Sequence, residues 1–185
     1  MAAAAPAPVA VVGSHFCAPQ VFPLTLTAKI TGSCSVADAS GTVQLRINVP
    51  LFRSCPRRVL LNAAGRPLLS VQRKVPGVWQ VFRGDSGSGG DLLFTAKALP
   101  MAGLKSLGLD VFLAGNSVWN VADFKIRGDF CRSCYFYLGN SDTMIATMNR
   151  MNNSLGRRIF GVNVFPHVDY AFISVLVVIL DGVNI

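Results

Sequence analysis

The stretch that decides the fold reads Asp169-Tyr170-Ala171-Phe172-Ile173-Ser174-Val175-Leu176-Val177-Val178-Ile179-Leu180-Asp181. Between its two carboxylates lies an apolar run without alternation. As a helix, Tyr170 to Leu180 would span roughly 16 Å, about half the hydrocarbon thickness of a bilayer, so the run reads as a core element rather than a transmembrane anchor. Five of these eleven residues are Val or Ile, a composition that favours a strand. A helix enclosed on every side would be equally apolar all round, and periodicity does not separate the two. If the run is a helix, Asp169 stands where a carboxylate caps its N-terminus and suits its dipole.

Upstream of this run the pattern changes to alternation. Leu24, Leu26, Ala28 and Ile30 alternate with Thr25, Thr27 and Lys29, and Val43, Leu45, Ile47 and Val49 with Gln44, Arg46 and Asn48. Period two puts the apolar set on one face of a half-buried antiparallel strand. Two turns share one recipe, Asp38-Ala39-Ser40-Gly41 and Asn62-Ala63-Ala64-Gly65. In each, a side chain that bonds its own backbone precedes by three positions a Gly able to take positive φ, which closes a bulged hairpin. Further strands are expected at 33–36, 59–61, 68–73, 78–83, 92–98, 109–114, 124–127, 130–137, 144–148 and 159–164. About a dozen short strands at this spacing make a meander closed as a barrel or sandwich.

Composition agrees. The chain has 185 residues, 51% hydrophobic and 14% charged, which suits one large domain with a core. All nine acidic residues are Asp, against seventeen Lys plus Arg. Without Glu, an exposed helical bundle is nearly excluded, and seventeen Gly and ten Pro punctuate strands. The Ala/Pro-rich segment 1–13 reads as a disordered tail ahead of a single domain over 14–185. It has no basic residue before Lys29 and Ala at position 2, so neither an export signal nor a myristoylation site is expected. Five scattered cysteines, an odd number, point to free thiols in a cytoplasmic protein.

The motifs that suggest chemistry each lack a partner. Gly84-Asp85-Ser86-Gly87-Ser88-Gly89-Gly90-Asp91 resembles a serine-protease nucleophile loop. Of the two histidines, only His15 precedes it, and His167 follows, so the base-before-nucleophile order fails. No Lys-Ser or Lys-Thr follows the glycines to make a phosphate cradle. Cys131-Arg132-Ser133-Cys134 has redox or zinc spacing, but no second pair exists and three-apart positions on a strand face opposite ways. Asn152-Asn153-Ser154 is a formal glycosylation acceptor without meaning in the cytoplasm. The expectation is no catalytic residue, no metal and no cofactor.

Several segments, in order, resemble the plant LURP-one-related family. They are Phe16-Cys17-Ala18-Pro19, Arg58-Val59-Leu60-Leu61-Asn62-Ala63-Ala64-Gly65-Arg66-Pro67-Leu68-Leu69, Trp79-Gln80-Val81-Phe82-Arg83-Gly84-Asp85, and Pro166-His167-Val168-Asp169-Tyr170-Ala171-Phe172-Ile173 with Val177-Val178-Ile179-Leu180-Asp181. Asn62 departs from the Asp common in the family, which touches turn chemistry only. The resemblance implies a tubby C-terminal-like fold, a closed twelve-stranded antiparallel barrel around a hydrophobic C-terminal helix, and so selects helix over strand for the last run. It also implies a link to plant defence and, through fold relatives that act at membranes, a membrane-tethered regulator. No lipid-binding residue of those relatives maps onto this chain.

The net charge of +8 suits an anionic partner. Among the basic residues, Arg57 and Arg58 precede the Asn62 turn and Arg73 and Lys74 follow it. A hairpin closed there would bring the two pairs together at its open end. These four are the candidates for phosphoinositide binding, in a protein expected in the cytoplasm, peripherally at the plasma membrane or in the nucleus. The competing reading is a protein-interaction scaffold whose basicity serves solubility. Nucleic acid is not the expected partner, and a monomer is expected.

Overall fold

The computed structural model describes residues 7–48, 57–85, 91–100, 107–151 and 156–183. Twelve antiparallel strands close into a barrel: β1 (Phe22–Lys29), β2 (Cys34–Asp38), β3 (Val43–Asn48), β4 (Arg57–Asn62), β5 (Pro67–Val75), β6 (Val78–Arg83), β7 (Leu92–Pro100), β8 (Leu107–Leu113), β9 (Phe124–Asp129), β10 (Ser133–Leu138), β11 (Met144–Met151) and β12 (Arg157–Val164). Every strand pairs with its neighbours in sequence, and β1 closes the ring against β12, from Phe22 opposite Val164 to Lys29 opposite Arg157. The helix α1 (Tyr170–Val183) fills the interior. Every residue from Ala171 to Asp181 is buried, so strand propensity in this run is overridden by the wall around it. A wall of twelve strands has room for a helix about 10–12 Å across, where eight would not.

The inward faces supply the rest of the core. Leu24, Leu26 and Ala28 of β1, Leu45 and Ile47 of β3, and Phe160, Val162 and Val164 of β12 are buried in step with the alternation. Phe94 of β7 and Phe124 of β9, on either side of β8, both pack against Phe172 of α1, at ring-centre distances of 5.2 and 4.8 Å. Both Gly-closed turns form as their sequences require. Gly41 and Gly65 sit at φ of 84° and 78°. The Asp38 carboxylate accepts from the Ser40 and Thr42 amides, and the Asn62 side chain accepts from the Arg66 amide.

Three expectations are corrected. The tail does not run free to Gly13. Val9 bridges Val168, Val12 is buried, and the amides of Val11, Val12 and Gly13 all donate to Asp169. Two valines and a buried carboxylate thus order a segment whose Ala/Pro composition suggested none; residues 1–6 lie outside the described residues. Ile30 does not continue the inward face of β1, because the strand ends at Lys29 and Ile30 projects from the turn, 78% exposed. Cys131 lies in a turn rather than on a strand. The Asp129 side chain accepts its amide, and β10 starts only at Ser133.

Candidate functional site

Helix α1 gives the barrel two unlike ends. At its N-terminal end the Asp169 carboxylate is fully buried, with Oδ1 accepting the Phe172 amide at 3.0 Å as a helix cap. Its other oxygen takes the amides of Val11, Val12 and Gly13 at 3.2, 2.7 and 3.0 Å. Successive backbone amides thus form a cradle around this carboxylate. Arg83 donates to the Val12 carbonyl at 2.9 Å and pins the same strap from the wall. This end is sealed.

The end at which α1 finishes, called here the distal end, is basic. Arg58 and Arg158 face inward there, in step with Leu60 and Phe160 on their strands. Arg158 grips Asp181 with two bonds of 2.6 and 2.8 Å. That pairing raises the Arg158 guanidinium above its usual value. Arg58 donates to the Val178 carbonyl at 3.0 Å and so ties β4 to the last part of α1. Burial pulls its guanidinium below the usual value, and the Asp181 carboxylate opposes that shift. A cavity of about 70 Å³ opens beside it, lined by Arg58, Val71, Arg73, Trp79, Ile179 and Gly182. The Arg73 guanidinium lies 5.7 Å from the Trp79 ring centre.

The four candidate cations are therefore divided by strand parity. The Asn62 hairpin sets Arg57 opposite Gln72 and Arg58 opposite Val71. Arg58 and Arg73 meet at one cavity, as the hairpin argument expected. Arg57 turns to the other face and pairs with Asp85 at 2.6 Å, its side chain only 12% exposed. Lys74 donates to Gln72 and lies 5.5 Å from the Phe82 ring centre. Arg73 and Lys74 are exposed, whereas Arg57 and Arg58 are not. Sequence proximity around one turn missed further exposed cations on the same distal end: Lys29 at the end of β1, Arg132 between β9 and β10, Arg150 near the end of β11, and Arg157 at the start of β12. The signal available was position, since each stands at that terminus of its strand.

Charge is polarised along the barrel. Of the nine aspartates, Asp38, Asp91, Asp123, Asp142 and Asp169 lie at or beyond the strand termini of the opposite end, Asp110 sits within β8 paired with Arg127, and Asp85 is held by Arg57. Only Asp129 and Asp181 sit at the distal one, and Asp181 is occupied by Arg158.

The motifs considered for chemistry stay apart. Ser86, Asn152, Asn153, Ser154 and Cys55 lie outside the described residues. His15 sits in a single 3₁₀ turn against Phe16, and His167 takes φ of 63° while its carbonyl accepts the Val9 amide. Burial pushes the thiols of Cys34 and Cys134 up to about 12. Among the described residues no group of three or more His, Cys or Asp is placed to hold a metal ion, and no helix is long and apolar enough to cross a membrane.

Comparison with known proteins assigns the chain. The LURP-one-related family model matches residues 24–181. Protein LURP-one-related 15 of Arabidopsis thaliana is 39% identical over 97% of this chain and 89% of its own length. Protein LURP1 of the same plant is 37% identical over 94% and 89%. An X-ray structure of an Arabidopsis thaliana protein superposes with a TM-score of 0.79 at 38% identity, covering 95% of this chain and 98% of that one. A wall of twelve strands closed on a buried C-terminal helix, with these matches along nearly its whole length, makes this chain a member of the LURP-one-related family.

Proposed function

We propose that this protein is a non-enzymatic, peripheral binder of anionic, phosphate-bearing headgroups of the phosphoinositide class, acting through the distal end of the barrel. The observation that carries the reading is the placement of Arg73, exposed and beside Trp79, at the cavity floored by Arg58. At the same end of the barrel stand the further exposed cations Lys29, Lys74, Arg132, Arg150 and Arg157. Each basic group close to an anionic surface contributes about 1 kcal/mol, so several acting together suffice for measurable association without a spanning segment. The polarised aspartates would turn the same end toward a negative surface during approach.

The test is calorimetric titration with a soluble inositol phosphate, wild type against Arg73→Ala/Lys74→Ala, over a range of sodium chloride. Binding that weakens with salt and falls about tenfold or more in the double variant is expected. No binding by the wild type at low salt, or equal binding by both proteins, overturns the reading.

One observation favours the scaffold reading instead. The loop between β8 and β9 exposes Val118, Trp119 and Val121, with Trp119 at a positive φ of 54° and stacked on Phe112. Exposed aromatic and aliphatic groups on a constrained loop are what a protein partner would grip. Loss of a partner by Trp119→Ala, with headgroup binding absent, would put this reading first.

A further inference from the structure

The distal end carries exposed aliphatic side chains where a protein in water gains nothing from them. Ile30, at the tip between β1 and β2, is 78% exposed, and Val75, at the tip between β5 and β6, is 55% exposed. Each directly follows an exposed cation, Lys29 before Ile30 and Lys74 before Val75. The third instance of the same order is Arg150-Met151 at the end of β11, with Met151 51% exposed. In ring order β5 and β1 are separated by β4, β3 and β2, so the two tips stand on different sides of the mouth that holds Arg58 and Arg73.

We infer that the distal end is a bilayer-docking surface on which Ile30 and Val75 enter the headgroup–acyl boundary while their neighbouring cations hold lipid phosphates. This rests on the headgroup reading above and adds to it an apolar contribution and a fixed orientation, with α1 pointing its C-terminus at the membrane. The two tips are separated by a polar, cationic mouth rather than joined into one apolar patch, which is the wrong form for a protein interface core. A bilayer boundary instead offers apolar depth and anionic phosphate side by side at every point of contact. Long basic side chains suit the same boundary, because their stems lie along apolar material while their charge stays with the headgroups.

The experiment is co-sedimentation with phosphatidylcholine vesicles containing phosphatidylserine and a phosphatidylinositol bisphosphate. Ile30→Asp/Val75→Asp is compared with wild type, and circular dichroism checks that both fold. A fall of at least tenfold in vesicle affinity is expected, with binding of the soluble inositol phosphate unchanged. In a second arm, Ile30→Trp gains fluorescence quenching by lipids brominated in the acyl chain, beyond the quenching of the wild-type tryptophans. Vesicle binding equal to wild type in the double variant, or no added quenching in Ile30→Trp, overturns the inference and leaves the headgroup reading standing. Loss of soluble-headgroup binding with vesicle binding and quenching intact does the reverse. Tight binding of polyglutamate in preference to vesicles also overturns the inference and points to an acidic protein.

Discussion

The Asp169 carboxylate accepts the Val12 amide at 2.7 Å, joining residues separated by 157 positions in the chain. Through its other oxygen the same side chain caps α1 at Phe172. One group therefore fixes both the start of the interior helix and the segment that closes the wall over it. Asp169→Ala leaves four amides without their acceptor in a buried place, so a loss of about 3–5 kcal/mol is expected. Chemical denaturation measures this, and limited proteolysis should show new cleavage between residues 7 and 17. Asp169→Asn keeps an acceptor oxygen and should lose less. A stability change under about 0.5 kcal/mol in the Ala variant would show that the strap is held by something else.

Removing α1 should remove the fold. The buried residues from Ala171 to Asp181 include Phe172, Ile173, Leu176, Ile179 and Leu180. At about 1.5–3 kcal/mol for each large side chain, their loss exceeds the net stability of an ordinary domain. A fragment ending at Val168 is expected to aggregate or to show no cooperative transition on heating. A cooperatively melting fragment would mean that the wall closes on itself.

Stability should decline on the alkaline side. Cys34 and Cys134, with ordinary values of 9.0, titrate at about 12 in the folded protein, chiefly through burial. Between those values the unfolded chain has released protons that the folded one retains, so unfolding is favoured as pH rises. The slope is about 1.4 kcal/mol per pH unit for each thiol, beginning above pH 9 and ending near 12. Denaturation midpoints should be flat between about pH 7 and 9, and Cys134→Ala should reduce the alkaline slope whatever it does to stability at neutral pH. An unchanged alkaline slope in that variant would contradict the burial argument.

Arg57 and Arg73 should give opposite phenotypes. Arg57 is nearly covered and bound to Asp85, while Arg73 is exposed at the cavity. Arg57→Ala is expected to lower the melting temperature and leave inositol phosphate binding within twofold. Arg73→Ala should do the reverse. Matching effects on binding would mean that the two arginines act in one patch despite facing opposite sides of the wall.

These contrasts mark where residue order informs and where it does not. Alternation in β1 and β3 and the Asn62 turn were legible, because period two and a Gly three positions after Asn have few other solutions. The pattern of the last run left helix and strand open, since Val and Ile favour strands and enclosure makes the helix; only the family resemblance of its residues selected the helix. Val9 and Val12 were missed for a related reason. Three valines among alanines and prolines carry no pattern, and the carboxylate that orders them lies at the far end of the chain. For the cations, clustering in sequence was the wrong guide. Adjacent Arg57 and Arg58 face opposite sides of β4, so of the four only Arg58 and Arg73 were brought to one cavity. Lys29, Arg132, Arg150 and Arg157, spread across the chain, share one end only because the meander returns there after every second strand.

The pairing of β1 with β12 has a consequence for biosynthesis. Every other seam of the wall joins neighbours in sequence and can form as the chain emerges, but the seam of Phe22 with Val164 waits for more than a hundred intervening residues. The helix that the wall encloses is made later still. On the ribosome the sheet must therefore keep both edges uncovered until β12 is made and its inner face uncovered until α1 follows, which makes the nascent state the period of greatest exposure to aggregation. Long-range closure of this kind is also slow, because its entropy is lost before its contacts form. Synthesis that stalls between Val164 and Val183 would strand the chain in that open form, so the final turns of helix govern the yield of folded protein as well as its stability.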